Sequence, residues 1–417
     1  MILIGILLSG CVSGQKSDFP STMPTETAVV TTAIPSPTYK PSPSPTPSPT
    51  DTPSGNVLSK CVEITKVSLP PLQGTLVLEH NIPYTLKDIL FLDMETNQEH
   101  FISKQGGEYY NDEAVSPAGT YFAADTFTFS ANHEYQQGPI KVFDSHGNQV
   151  AKVEFKKESY GFTWLNESQI FIKDGDSLIL TSPFNHTQKK IQPLIKHIFY
   201  PSEYFMDWGF YGDNRNVYGP QMTRMLYPLG DENGPTVALR DVEKGIDLAS
   251  FPTSYGWGKW PTWSVDGKKF AIALNVAPFV SGEYSTKYEI FVINHDGELL
   301  LNTNLTPFSK TVYMSNLSWS PDGRYIAFWY TNDENHLYDY LQLAVFDTET
   351  RMIARYCINN GDDYIRFSPI WAPSNDYLLI AYRTSKDDKA LSSLLLNILD
   401  GKAWIIKSDF EPLGWLK

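Results

Sequence analysis

A short phrase recurs along this chain: an aromatic or apolar residue, a turn of the Ser-Pro-Asp-Gly type, and a short apolar run. It reads PTWSVDGKKFAIAL at 261–274, LSWSPDGRYIAFWY at 317–330 and PIWAPSNDYLLIAY at 369–382. Weaker copies are AVSPAGTYFAADT from 114, FTWLNESQIFIKD from 162 and WGFYGDNRNVYGP from 208. The residues just before the turns are Val115, Trp164, Phe210, Trp263, Trp319 and Trp371, spaced 46 to 56 positions apart, close to the period of one propeller blade.

Each unit then continues in the same order: a second apolar strand, a variable connection, a third strand, a short turn and a fourth strand. In the best copy the last two are YLQLAVFD and RMIARYCI. Four short strands divided by turn residues predict an all-β repeat, and no unit carries a convincing helical pattern. Within the turn, Pro pre-sets φ at the second position, Asp or Asn suits the third and Gly tolerates positive φ at the fourth. Ser320, Asp322 and Arg324 are therefore read as turn-makers and not as catalytic groups.

A seventh anchor, Trp415, stands in EPLGWLK, 44 residues after Trp371, where the sequence stops. At the other end LQGTLVLEH from 72, DILFLDM from 88 and EHFIS from 99 read as second, third and fourth strands with no first strand before them. Gly74 falls where Gly323 falls in the best copy. The expectation is a seven-bladed β-propeller of four-stranded antiparallel blades over 58–417. The C-terminal strand joins the first blade and closes the ring, which removes the open edges of a linear array. The weak copies leave six or eight blades open.

The first eleven residues, MILIGILLSGC, end in Leu8-Ser9-Gly10-Cys11, which resembles the lipobox of bacterial lipoproteins. The resemblance implies that residues 1–10 are a signal peptide and that Cys11 is acylated. No Lys or Arg precedes the apolar run, a departure from that pattern. No later stretch approaches the roughly 18 apolar residues of a spanning helix, so the chain is expected outside the cytoplasm, lipid-anchored to a bacterial membrane. Residues 11–57 hold alternating Pro, Ser and Thr and read as a disordered, extended linker. Cys61 and Cys357 remain. In such a compartment a disulfide between them persists, and two free thiols fit the sequence as well; two thiolates are too few for a structural zinc site.

The WSPDG-x-x-I-A pattern resembles the TolB-like, WD-repeat-like propellers of bacterial envelope proteins, in detail over 260–407 and in spacing alone over 60–255. Members of that group include protein-binding scaffolds, propeller halves of prolyl-oligopeptidase-type peptidases and a few polysaccharide lyases. Fold membership therefore assigns no function by itself.

Chemical motifs are sparse. A peptidase of the prolyl-oligopeptidase type needs a G-x-S-x-G elbow on a separate hydrolase domain, and the sequence has neither. The eight histidines are scattered, with no H-E-x-x-H spacing. A lyase calls for a His cluster over the central channel, which these spacings neither supply nor exclude. DGDS at 174–177 and NDEN at 332–335 are rich in oxygen ligands but suit a hairpin turn and a solvated loop, and neither completes a calcium loop. A formal charge of −14 without a Lys/Arg cluster argues against nucleic acid as a partner. No cofactor or metal is expected.

Loop lengths are asymmetric. The second-to-third connections read as long, at about 125–139, 219–235, 275–287, 331–340 and 383–392, and in a propeller these emerge at one end together with the links between blades. Long loops on a rigid scaffold are where binding resides. Aromatic residues in or beside them make Trp208, Tyr211, Tyr227, Trp257, Trp260, Phe279, Tyr284, Tyr338 and Tyr340 the candidate ligand-binding set. The reading is a non-catalytic module that binds an envelope protein or peptide. The alternatives are a carbohydrate-binding or polysaccharide-cleaving propeller and a structural spacer in an envelope complex.

Overall fold

The computed structural model describes residues 57–80, 88–102, 109–129, 135–154, 159–174, 177–191, 218–229, 236–252, 259–276, 287–305, 313–331, 342–359, 368–383 and 391–417. They form seven separate sheets, and among them there is no helix. Blade one pairs Phe410–Leu416 with Thr75–His80, then Ile89–Asp93 and Glu99–Ile102. The last strand of the chain thus opens the first blade, with Trp415 opposite Leu76. Blade two is Tyr109–Val115, Phe122–Phe129, Tyr135–Phe143 and Gln149–Val153. Blade three is Ser159–Asn166, Gln169–Asp174, Ser177–Thr181 and Gln188–Ile191. Blades five to seven repeat this order from Lys259, Tyr313 and Ile370. The molecule is a seven-bladed β-propeller.

The repeated phrase sets both the turn and the packing. In blade six, Gly323 N donates to Ser320 O at 2.8 Å and Ser320 N to Tyr325 O at 2.9 Å, with Gly323 at φ 70°. Ser320 Oγ donates to Asp322 Oδ1 and accepts from Tyr325 N, while Arg324 N donates to the same carboxylate. The anchor tryptophans then clasp the preceding blade. Trp164 Nε1 donates to Ala114 O, Trp319 Nε1 to Thr262 O and Trp371 Nε1 to Ser318 O, each acceptor being the residue before the previous anchor. Second and third strands are buried almost throughout, as in Tyr325–Thr331, because both of their faces meet a neighbouring blade. The outer strand of blade three, Gln188–Ile191, is largely exposed.

Two regions differ from expectation. In blade four the turn follows Tyr218, not Phe210, which lies outside the described residues. Tyr218 bridges Met225, Met222 N donates to Gly219 O, and Gly219 N donates to Arg224 O, the same pattern as in blade six. Arg224–Leu229 is therefore the second strand, paired with Thr236–Asp241 and followed by Ile246–Pro252, and 219–235 is not one long connection. The turn escapes a sequence search because Met222, not Gly, takes the positive φ of 61°. In blades six and seven a fifth strand is added. Val57–Lys60 pairs in parallel with Met352–Asn359, and Glu63–Ile64 with Lys402–Lys407, so residues 57–64 strap the outer rim of two blades.

Candidate functional site

The two ends of the ring are built differently. At the tight-turn end, hydrogen bonds among the described residues cross six of the seven seams between blades. Lys417 N donates to Gly119 O, Ser116 Oγ to Glu167 Oε2, Asn166 Nδ2 to Pro220 O, Gln221 Nε2 to Asp266 O, Lys269 Nζ to Gly323 O and Asp322 N to Asn375 Oδ1. The seventh seam, between blades seven and one, is filled by Leu72, Leu76, Leu379, Leu395, Trp404 and Trp415. Glu167 shows how the belt compensates. Blade two has Ala118 where blade six has Asp322, and Glu167 from blade three supplies the carboxylate to Ser116 and to Ala118 N. Arg324 is committed as well, its guanidinium donating to both oxygens of Asp347. The polar groups of this end make turns and seams.

The opposite end carries an aromatic ledge on blade two. Its central hairpin has strands of 8 and 9 residues, paired as far as Phe129 with Tyr135. Blade three's hairpin closes at Asp174 with Ser177. Counted from the pairs Val115–Phe122 and Trp164–Ile170, Phe127, Thr128 and Phe129 continue past that level. A bulge at Gly138 and Pro139, opposite Thr126, interrupts the pairing; a Cβ on Gly138 would lie 2.4 Å from Thr126 Oγ1, a contact that only glycine avoids. Phe127 pairs across the sheet with Tyr109. The rings of Tyr109, Phe127 and Phe129 lie 5.2 to 5.7 Å apart, at mutual angles of 35°, 57° and 88°. Phe129 keeps 50% of its surface exposed, although burying a Phe is worth about 1.5–3 kcal/mol. An exposed ring backed by two half-buried ones marks an interaction site more often than a scattered apolar residue does.

Sequence reasoning missed this trio because it assigned 125–139 to a loop. The signal was present: Phe-x-Phe at 127–129 continues the period-two alternation of a strand. Of the predicted set, Trp208, Tyr211, Trp257, Phe279, Tyr284, Tyr338 and Tyr340 lie outside the described residues, as does Cys11. Trp260 falls in the first strand of blade five, Lys259–Trp263. Tyr227 is on a strand and not on a loop. Its hydroxyl donates to Asp247 Oδ2 at 2.9 Å, and Arg240 Nη1 holds the other carboxylate oxygen at 2.8 Å. Partial burial, reinforced by the Asp247 carboxylate, pushes the phenol up to about 12, so it remains protonated and fixed within blade four. The structure does not bring Tyr227 to the ledge. Among the described residues no group of three or more His, Cys, Asp or Glu is arranged to hold a metal ion. Nor is any helix there long and apolar enough to cross a membrane.

Solved structures similar to this chain include TolB from Acinetobacter baumannii, with a TM-score of 0.40 at 11% identity over 87% of this chain and 97% of that one. Another is the Cps50 (Swd1) β-propeller domain of Myceliophteria thermophila, with a TM-score of 0.40 at 12% identity over 81% and 96%. No protein-family model matches the chain, and no curated protein matches it. The propeller assignment rests on the strand pairing itself.

Proposed function

We propose that the chain is a non-catalytic binding module, displayed outside a bacterial membrane through lipidated Cys11, that takes an apolar side chain of a protein or peptide on the ledge of blade two. The observation that carries this reading is the aromatic trio of exposed Phe129 with half-buried Tyr109 and Phe127, held on a strand extension. A rigid aromatic cluster loses little conformational entropy on binding and is the usual anchor of a protein interface. The ring angles favour a protein over a sugar, because Phe127 and Phe129 stand edge to face at 88° and offer a notch, where a sugar ring calls for a flat platform. Placement agrees. Val57 pairs with Ile353, just beyond the turn that starts the fourth strand of blade six, so the chain enters the propeller at the tight-turn end, opposite the ledge.

Peptides selected from a random display library on the full chain are the test. The selected sequences are expected to share a large apolar or aromatic residue. Replacing Phe127 and Phe129 together by Ala should weaken their binding tenfold or more, about 1.4 kcal/mol. Equal binding by the double variant, or titration by glycan fragments with no peptide selected, would sink the proposal. The anchor is tested separately: Cys11→Ser should move the protein out of the membrane fraction, and unchanged membrane retention would remove Cys11 from the account.

A further inference from the structure

We infer that Cys61 and Cys357 are a disulfide site that fastens the N-terminal strap to the rim of blade six. Parallel pairing in register from Val57 with Ile353 to Lys60 with Tyr356 makes Cys61 and Cys357 the next pair along the two strands. Neighbouring strands lie about 4.8 Å apart, within the Cα separation of about 4.4–6.8 Å that a disulfide spans. The two sulfurs are 3.9 Å apart and both cysteines are exposed, so an oxidant reaches them and a small side-chain rotation closes the gap.

The strap is held on both sides of this pair, so the two thiols are kept in place. Before it, Lys60 Nζ donates to Ile398 O at 2.7 Å and to Leu399 O at 3.0 Å, and Arg355 Nη2 donates to Ser59 Oγ at 2.9 Å. After it, Glu63 N donates to Gly401 O, Thr65 N to Ala403 O and Trp404 Nε1 to Val67 O. Gly401, at φ 79°, lets the backbone of Cys61 approach: a Cβ there would lie 2.9 Å from Cys61 O. In the four-residue strand Val57–Lys60, Leu58 is half exposed. A covalent link is the contact that packing does not supply.

The oxidant is a disulfide-bearing protein or small molecule outside the cytoplasm. The thiolate of one cysteine attacks one sulfur of that disulfide, expels the other as a thiolate and leaves a mixed disulfide. The second cysteine's thiolate then attacks the first cysteine's sulfur and expels the remaining carrier sulfur. Two protein thiols lose two electrons and two protons, and one carrier disulfide becomes two thiols. The product joins positions 296 residues apart and constrains the unfolded chain accordingly.

The full chain, reduced and then treated with oxidised glutathione, is alkylated, digested and mapped by mass spectrometry. The expected result is one linked peptide pair containing Cys61 and Cys357, two hydrogens lighter than the separate peptides. It comes with a melting temperature several degrees above that of the reduced protein, a rise that C61S and C357S do not show. Recovery of both cysteines alkylated, or each carrying glutathione, overturns the inference. That outcome is read on the wild-type chain and does not depend on the variants folding.

Discussion

The tight turn of blade six and the projecting hairpin of blade two begin from the same sequence device, an apolar anchor followed by an apolar strand, and end in opposite states. Around Ser320 the polar atoms are all engaged: the serine is 0% exposed, and the carboxylate of Asp322 and the guanidinium of Arg324, both nearer the surface, have partners within the turn or on Asp347. At Phe127–Phe129 the apolar atoms point outward, on strands that outrun their neighbour. A buried polar group and an exposed apolar one are the two informative exceptions to ordinary burial. Here the first is fully explained by the fold and the second is not, which is why the ledge and not the conspicuous SPDG motif carries the functional reading.

The comparison breaks most visibly if the ring itself is opened. Deleting 412–417 removes Trp415 and Leu416, both buried against blades seven and two, and the Lys417–Gly119 link. Loss of the Trp alone costs about 3–5 kcal/mol, so the thermal midpoint should fall steeply. A truncated protein that melts like the full chain would mean that the terminal strand is outside the sheet. A smaller effect sharpens the reading of the turn. Ser320→Ala takes away the acceptor of Tyr325 N and should cost about 1–3 kcal/mol, whereas Asp322→Asn keeps an oxygen for Ser320 Oγ and Arg324 N and should shift stability by less than about 0.5 kcal/mol. Neither should change affinity for a selected peptide. Loss of binding in Asp322→Asn would move the functional end to the wrong side of the ring for this account. The smallest stability effect is expected from the Phe127, Phe129 double Ala variant, because both rings keep contact with solvent; a collapse in melting there would make the trio part of the core.

Turn chemistry and anchor spacing are legible in the sequence wherever Ser, Asp and Gly occupy the turn, and they reach as far as ring closure, although Gly74 stands one position later than expected: its carbonyl accepts from Met94 N as that of Arg324, not Gly323, accepts from Thr348 N. They fail at Tyr218, where an atypical turn hides the blade's start. The rim strap was not legible at all. Val57–Lys60 and Glu63–Ile64 are joined to blades six and seven through backbone hydrogen bonds, and their side chains carry no alternation that a strand search can use. Loop length points to the same end of the ring as the ledge, but the ledge sits on strands, and Tyr227 is a partner of Asp247 within its own blade.

Amide hydrogen exchange on the full chain, with and without a saturating selected peptide, tests the division between the two ends most directly. The account predicts slowed exchange at Phe127–Phe129 and at residues 109–111 and 135–137, with residues 264–269 and 320–325 unchanged. Protection confined to those turn residues, with the ledge exchanging as in the free protein, would contradict it.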